Sequence, residues 1–247
     1  VKKNHYFLCS LPRAGNTLLG TLLNQNNDIA VTAMSILPDI LKNVFEITSS
    51  ETYKIFSDFN SFKNVYNNVH RLYYEKWEAS TIIERGPWGT KNNMHLVSFF
   101  IEEPKYIILY RPLLECMASF FKIKKPSNKE YMADFFMQED RMFGENLISI
   151  KNILNEKKQR IVIYYDDLVN NPNEVLKKIY SFIALDFKEH KLKNFKQFEA
   201  NKISYNDYFL DGFYHTIRTN EIKKNKYTIE DILPKSVINK YSNFDVL

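Results

Sequence analysis

His5-Tyr6-Phe7-Leu8-Cys9-Ser10-Leu11-Pro12-Arg13-Ala14-Gly15-Asn16-Thr17-Leu18-Leu19-Gly20-Thr21-Leu22-Leu23 is the stretch on which the reading of this chain turns. The apolar run His5–Leu11 ends at a proline and predicts a buried strand. Pro12–Asn16 predicts a loop, and Thr17–Leu23 a helix with Leu18, Leu19, Leu22 and Leu23 as its apolar residues. A strand–loop–helix unit aims several backbone N–H groups, and the positive end of the helix dipole, at one point, which makes an anion site. Gly15 permits close backbone approach, Thr17 places a hydroxyl at the helix start, and Arg13 adds a permanent charge on a forked donor. Against the nucleoside-triphosphatase loop G-x-x-x-x-G-K-[ST], Gly15 takes the second glycine, Ser10 the first and Asn16 the lysine. The lysine is missing and the cation has moved to Arg13, which argues against an ordinary ATPase.

Outward from this unit the chain alternates strand and helix patterns. Strands are predicted at Ile29–Thr32, Ser80–Glu84, Lys105–Tyr110 and Arg160–Tyr165. Helices are predicted over Leu37–Thr48, Tyr53–Trp77, Asn92–Phe100, Pro112 to about Lys122, Lys129–Asn155 and Pro172–Ile183. From Phe187 onward the pattern is polar-aromatic, with helical pieces and no clear strand. Such alternation predicts an α/β fold: a P-loop-like three-layer sandwich with a central mostly parallel sheet flanked by helices. No repeat, low-complexity tract or linker interrupts residues 1–247, so a single domain is expected.

Composition bounds the partners. At 247 residues roughly 70–75% of the unfolded surface can be buried, so a substantial core is available. The 16 Tyr and 19 Phe are read first as core filling, with an apolar acceptor cleft as the other use. A net charge of +5 fits an anionic small ligand and falls short of a nucleic-acid stripe, so no nucleic acid is expected as a partner. Cys9 and Cys116 lie in apolar segments without metal-ligand spacing, which predicts buried reduced thiols, no metal and a cytoplasmic setting. No apolar run reaches the roughly 18–20 residues of a membrane helix, so no membrane span is expected.

A second constellation follows the strongest strand. Arg111 stands at the carboxyl end of Lys105–Tyr110, where open α/β sheets bind ligands, and Ser119 lies about two helical turns further on. A third is Ile161-Val162-Ile163-Tyr164-Tyr165-Asp166-Asp167-Leu168, followed by Asn171-Pro172 and an amphipathic helix.

Together these three pieces resemble the sulfotransferase family, over roughly residues 6–185. The family's 5′-phosphosulfate loop runs Pro-(Lys or Arg)-Ser-Gly-(Thr or Ser)-Thr. Pro12, Arg13, Gly15 and Thr17 match it, while Ala14 replaces the serine and Asn16 the next hydroxyl residue. Arg111-Pro112 with Ser119 resembles the family's Arg-(Asn or Asp)-Pro…Ser grip on the 3′-phosphate, with the intervening residue absent. Tyr164-Tyr165-Asp166-Asp167-Leu168 resembles its Tyr-Glu-Asp-Leu segment. Arg85-Gly86-Pro87-Trp88 and Gly212-Phe213-Tyr214-His215-Thr216-Ile217-Arg218 look like a microbial subgroup related to the tyrosylprotein sulfotransferases, in which the latter stretch closes over the nucleotide.

The resemblance implies an enzyme that moves a sulfuryl group from 3′-phosphoadenosine 5′-phosphosulfate (PAPS) to a hydroxyl or amine, releasing adenosine 3′,5′-bisphosphate (PAP), without a metal. Arg13, Ala14, Gly15, Asn16, Thr17, Leu18, Arg111, Ser119, Tyr165 and Arg218 are the residues assigned to the donor. Arg13 would take the leaving 5′-phosphate and Arg85 the transferring sulfonate. For the general base the tyrosylprotein enzymes use a glutamate shortly after the first helix; here Val31-Thr32-Ala33-Met34-Ser35 holds no acid. His215, Glu84 and, more remotely, Asp39 are the candidates, with Glu84 alternatively an ion-pair partner for Arg85. The acceptor is left as a small molecule, glycan or peptide. A P-loop kinase-like phosphotransferase and a non-catalytic nucleotide- or anion-binding protein are the competing readings.

Overall fold

The computed structural model describes residues 3–210, 214–217, 219, 221–223 and 227–247. Five strands, β1 (Asn4–Ser10), β2 (Ile29–Val31), β3 (Thr81–Arg85), β4 (Tyr106–Tyr110) and β5 (Arg160–Tyr164), form one sheet in the order β2-β3-β1-β4-β5. Every neighbouring pair is parallel. The helices are α1 (Asn16–Leu23), α2 (Leu37–Glu46), α3 (Glu51–Ile55), α4 (Phe59–Tyr73), α5 (Lys91–Ser98), α6 (Leu113–Lys124), α7 (Lys129–Phe136), α8 (Met142–Asn155), α9 (Tyr165–Asn170), α10 (Pro172–Phe182) and α11 (Lys235–Tyr241).

Side chains alternate across a strand, so each strand feeds two cores. Tyr6, Leu8, Ile83, Ile107 and Leu109 join one apolar cluster with Leu22, Met117, Phe120 and Ile179. Phe7, Cys9, Ile82, Tyr106 and Ile108 join the other with Leu41, Tyr66, Trp88, Val97 and Ile150. Helices thus cover both faces of the sheet, and the fold is the three-layer α/β sandwich expected. Tyr66 and Tyr74, from the aromatic-rich stretch before Trp77, are fully buried in the second cluster, so these two fill core.

The strand order places the first strand in the middle. From β1 the chain runs out to β2 and β3 on one side, then crosses to β4 and β5 on the other. The order therefore reverses between β1 and β4, and ligands in such sheets bind outside the carboxyl ends of the strands at that point. Ser10 pairs with Leu109 across this boundary, so the loop after β1 and Arg111 after β4 start from adjacent positions.

Several predicted elements are corrected. The helix expected over Tyr53–Trp77 is two helices, because Asp58 restarts the chain as an N-cap whose carboxylate accepts from the Ser61 N–H at 3.0 Å. Lys129–Asn155 likewise divides, at residues 137–141. Gly144 marks the reason: a β-carbon there would lie 2.1 Å from the Gln138 carbonyl, so the interrupting turn packs directly on the next helix. Leu37–Thr48 passes into a 3-10 turn at Ile47–Ser49. A two-stranded antiparallel hairpin, β6 (Glu199–Ala200) and β7 (Ile203–Ser204), stands where no strand was expected. Its turn holds Asn201 at φ 48° and Lys202 at φ 63°, and a lysine in a left-handed conformation is a poor turn signal in sequence.

Candidate active site

The loop after β1 is wound by two left-handed residues, Arg13 at φ 69° and Gly15 at φ 107°, with the Ala14 N–H closing on the Leu11 carbonyl at 3.2 Å. Backbone alternating in this way turns successive N–H groups inward into an anion-binding nest. A left-handed arginine costs roughly 1–2 kcal/mol, and strain of that kind concentrates at functional sites. Gly15 is the N-cap of α1 and supplies no side-chain cap, so the first N–H groups of the helix remain available to a ligand.

The Asn16 side chain is engaged within the loop itself. It accepts from the Ser10 hydroxyl at 2.5 Å and donates to the Leu11 carbonyl at 3.2 Å. The residue at the lysine position of an ATPase loop therefore holds the loop shut from inside.

Arg111 joins the loop to the other strand ends. Its Nη1 donates to the Arg13 carbonyl at 3.1 Å, and its Nε to Glu115 Oε2 at 3.0 Å. Its guanidinium carbon lies 4.2 Å from the centre of the Tyr165 ring. The same ring closes on the loop: a β-carbon on Gly15 would sit 2.8 Å from Tyr165 Cδ2. Burial opposes the Arg111 charge, but Cys116, Tyr165 and Glu115 outweigh it and raise its pKa. Beside this cluster lies a cavity of about 260 Å³, with Arg111, Glu115 and Tyr165 on one side and residues 227–230 on the other.

With that geometry in place, the comparisons with known proteins decide the class. The model of the "Sulfotransferase domain" matches residues 3–231. The chain belongs to the sulfotransferase family. A search of curated protein sequences finds no match. Among solved structures, it is similar to the sulfotransferase domain of the Synechococcus PCC 7002 olefin synthase, at 16% identity and a TM-score of 0.55, covering 100% of this chain and 97% of that one. It is also similar to mouse sulfotransferase SULT7A1 complexed with PAP, at 12% identity and a TM-score of 0.55 over 99% and 84%. A third is a sulfotransferase from Alicyclobacillus acidocaldarius, at 11% identity and a TM-score of 0.52 over 85% and 90%. At these identities the likeness is one of fold.

The remaining candidates of this sulfotransferase-family chain lie on several elements around the loop and on helix α2. Ser119 lies on α6 and is buried, next to Phe120, whose ring packs 6.0 Å from that of Tyr214. Tyr214 and His215 come over the loop from the C-terminal side, where the Tyr214 carbonyl accepts from Arg13 Nη1 at 3.2 Å and from the Thr17 hydroxyl at 3.5 Å. Arg218, like Gly212 and Phe213, lies outside the described residues.

His215 is bound to a partner that the sequence reading missed. Its Nδ1 lies 2.6 Å from Asp207 Oδ1, and its backbone N–H donates to Asp207 Oδ2 at 2.7 Å. Tyr205 packs on the imidazole with ring centres 4.9 Å apart. The Tyr205 hydroxyl in turn donates to the Met34 carbonyl at 2.8 Å and accepts from the Ala33 N–H at 2.9 Å.

Glu84 and Arg85 end β3. Glu84 is bonded to the Ser35 hydroxyl rather than to Arg85, so the ion pair held open in the sequence reading is not formed. Its second oxygen is buried without a hydrogen bond, and burial pushes its carboxyl up to about 8, against the Ser35 bond that favours the charged form. Arg85 is half-buried, its backbone N–H bonded to the Thr32 hydroxyl at 3.2 Å, and burial lowers its pKa. Asp39 is exposed in the first turn of α2, on the solvent side of that helix. Among the described residues no group of three or more His, Cys, Asp or Glu side chains could hold a metal ion, and no helix is long and apolar enough to cross a membrane.

Proposed function

We propose that this chain transfers the sulfuryl group of PAPS to a hydroxyl or amine acceptor by in-line displacement. The observation that carries the reading is the Arg111 guanidinium, which reaches from the Arg13 carbonyl of the loop to the Tyr165 ring. One side chain thereby links the carboxyl ends of β1, β4 and β5, which supports reading them as one donor site. In this reading the N–H groups of residues 15–18 and the Arg13 guanidinium hold the 5′-phosphate. Arg111, with Ser119 and Tyr165, holds the 3′-phosphate and the adenosine beside it, in the cavity of about 260 Å³. Arg218 belongs to the same assignment.

Sulfuryl transfer spreads charge over the peripheral oxygens and onto the leaving phosphate, so positioning and fixed charge supply most of the catalysis. The acceptor oxygen attacks sulfur as the bond from sulfur to the 5′-phosphate oxygen breaks, and the electron pair stays on PAP. Arg13 meets the charge on the leaving phosphate and Arg85 the charge on the sulfonate. His215 takes the acceptor proton. A general base is worth about 10²–10⁴-fold, so His215→Ala is expected to lose that much turnover while binding PAP as the parent does. Transfer of ³⁵S from labelled PAPS to a panel of phenols, sugars and peptides tests the activity. Magnesium-dependent turnover of ATP, with no label transferred, would put the phosphotransferase reading in its place. Unchanged label transfer by His215→Ala would remove that residue from the mechanism.

A further inference from the structure

The peptide unit between Tyr214 and His215 is held at both ends. Its carbonyl accepts from Arg13 Nη1 at 3.2 Å, and its N–H donates to Asp207 Oδ2 at 2.7 Å. The other oxygen of the same carboxylate, Oδ1, meets His215 Nδ1 at 2.6 Å. Both side chains are largely covered, at 12% exposure for His215 and 11% for Asp207.

We infer that Asp207 is a positioning residue for proton transfer, fixing His215 with its proton on Nδ1 and the lone pair of Nε2 directed to the acceptor. The inference rests on His215 being the base. A carboxylate only accepts hydrogen bonds, so Nδ1 must be the donor, and a neutral imidazole then has Nε2 unprotonated. The bidentate grip fixes the ring and its backbone together. Tyr205, anchored by its own hydroxyl bonds to residues 33 and 34, walls one face of the ring. In the transfer step the acceptor O–H proton passes to Nε2 while sulfur leaves the 5′-phosphate oxygen. His215 becomes an imidazolium facing Asp207, and the phosphate takes the electron pair. Among the described residues, the charged or titratable groups around the imidazole are Asp207 on the 3-10 turn Asp207–Leu210, Tyr205 before it, and Arg13 across the Tyr214 carbonyl. The charges of Glu84 and Arg85 are felt at Tyr205.

The arrangement also ties the base to the donor loop. Arg13 positions the leaving phosphate in the proposed reaction and holds the peptide from which the base projects, so the leaving-group and base sides share one scaffold.

Asp207→Asn is the test. Asparagine keeps the shape but has a single carbonyl oxygen, which the fixed His215 N–H claims. Its NH₂ then faces Nδ1, and the imidazole proton must move to Nε2. Side-chain ¹⁵N NMR of the ligand-free protein reads this directly, with His215→Ala identifying the signal among five histidines. Expected is an Nδ1–H tautomer in the parent and an Nε2–H tautomer in Asp207→Asn. PAP release from PAPS, with phenol or water as acceptor, is expected to fall at least tenfold in kcat with KM for PAPS unchanged. An unchanged tautomer in Asp207→Asn overturns the inference. A changed tautomer with unchanged turnover in both variants instead removes His215 as base, and the positioning role with it.

Discussion

Arg111→Ala is expected to weaken PAP binding by about 10–100-fold while leaving the affinity for adenosine 5′-phosphate nearly unchanged. A hydrogen bond to a charged group contributes about 1.5–3 kcal/mol, and each 1.4 kcal/mol is a factor of ten. The selectivity matters more than the size. In the proposed donor site Arg111 meets the charge of the 3′-phosphate, which adenosine 5′-phosphate lacks, so its loss is felt chiefly by the nucleotide that carries that group. Arg13→Ala, by contrast, should penalise both nucleotides, because both carry the 5′-phosphate. Arg111 is 6% exposed and also braces the Arg13 carbonyl, so thermal unfolding of each variant must accompany the titration. Arg111→Lys keeps the charge and loses the fork, and is expected to bind PAP at an intermediate strength. Equal losses for the two nucleotides in Arg111→Ala would show that the residue supports the loop and does not read the 3′-phosphate.

Glu84→Gln is expected to change how stability depends on pH. The folded carboxyl is raised from 4.5 to about 8, chiefly by burial, so the folded state holds its proton more tightly than the unfolded chain does. That stabilisation is complete below pH 4.5, declines as pH rises, and is gone once pH passes about 8. The total is on the order of a few kcal/mol, since each tenfold change in proton affinity corresponds to about 1.4 kcal/mol. Glutamine keeps the oxygen that accepts from Ser35 and has no proton to lose. Denaturant unfolding between pH 5 and 8.5 should therefore show the parent losing stability relative to Glu84→Gln as pH rises. Parallel curves for the two proteins would mean that Glu84 is charged in the folded state across the range. The same experiment bears on catalysis, because a carboxyl that stays protonated near neutral pH is a poor proton acceptor there and leaves that task to His215.

The sheet was legible because its signals are local. Apolar runs bounded by Pro12, Gly86 and Pro112 mark β1, β3 and β4 within a residue or two, and their alternation with helices implies parallel order. The helix breaks at Ser57-Asp58 and at residues 137–141 were not read, since helical periodicity continues on either side and only packing shows the interruption. In the site, the convergence of the loop and Arg111 could be anticipated from strand-end logic. The internal bonds of Asn16 could not: only the fold shows its amide bonded to Ser10 and Leu11. Asp207 and the true partner of Glu84 lay hidden for a related reason. Asp207 belongs to no spaced motif and acquires meaning from His215, and Glu84, though singled out in sequence, meets Ser35 only because the fold brings the two together.

A crystal structure with PAP bound tests the account most directly. The 5′-phosphate is expected within about 3 Å of N–H groups among residues 15–18 and of the Arg13 guanidinium, with the 3′-phosphate at a similar distance from Arg111. A nucleotide whose two phosphates lie anywhere else, or that reaches only one of these arginines, would contradict it.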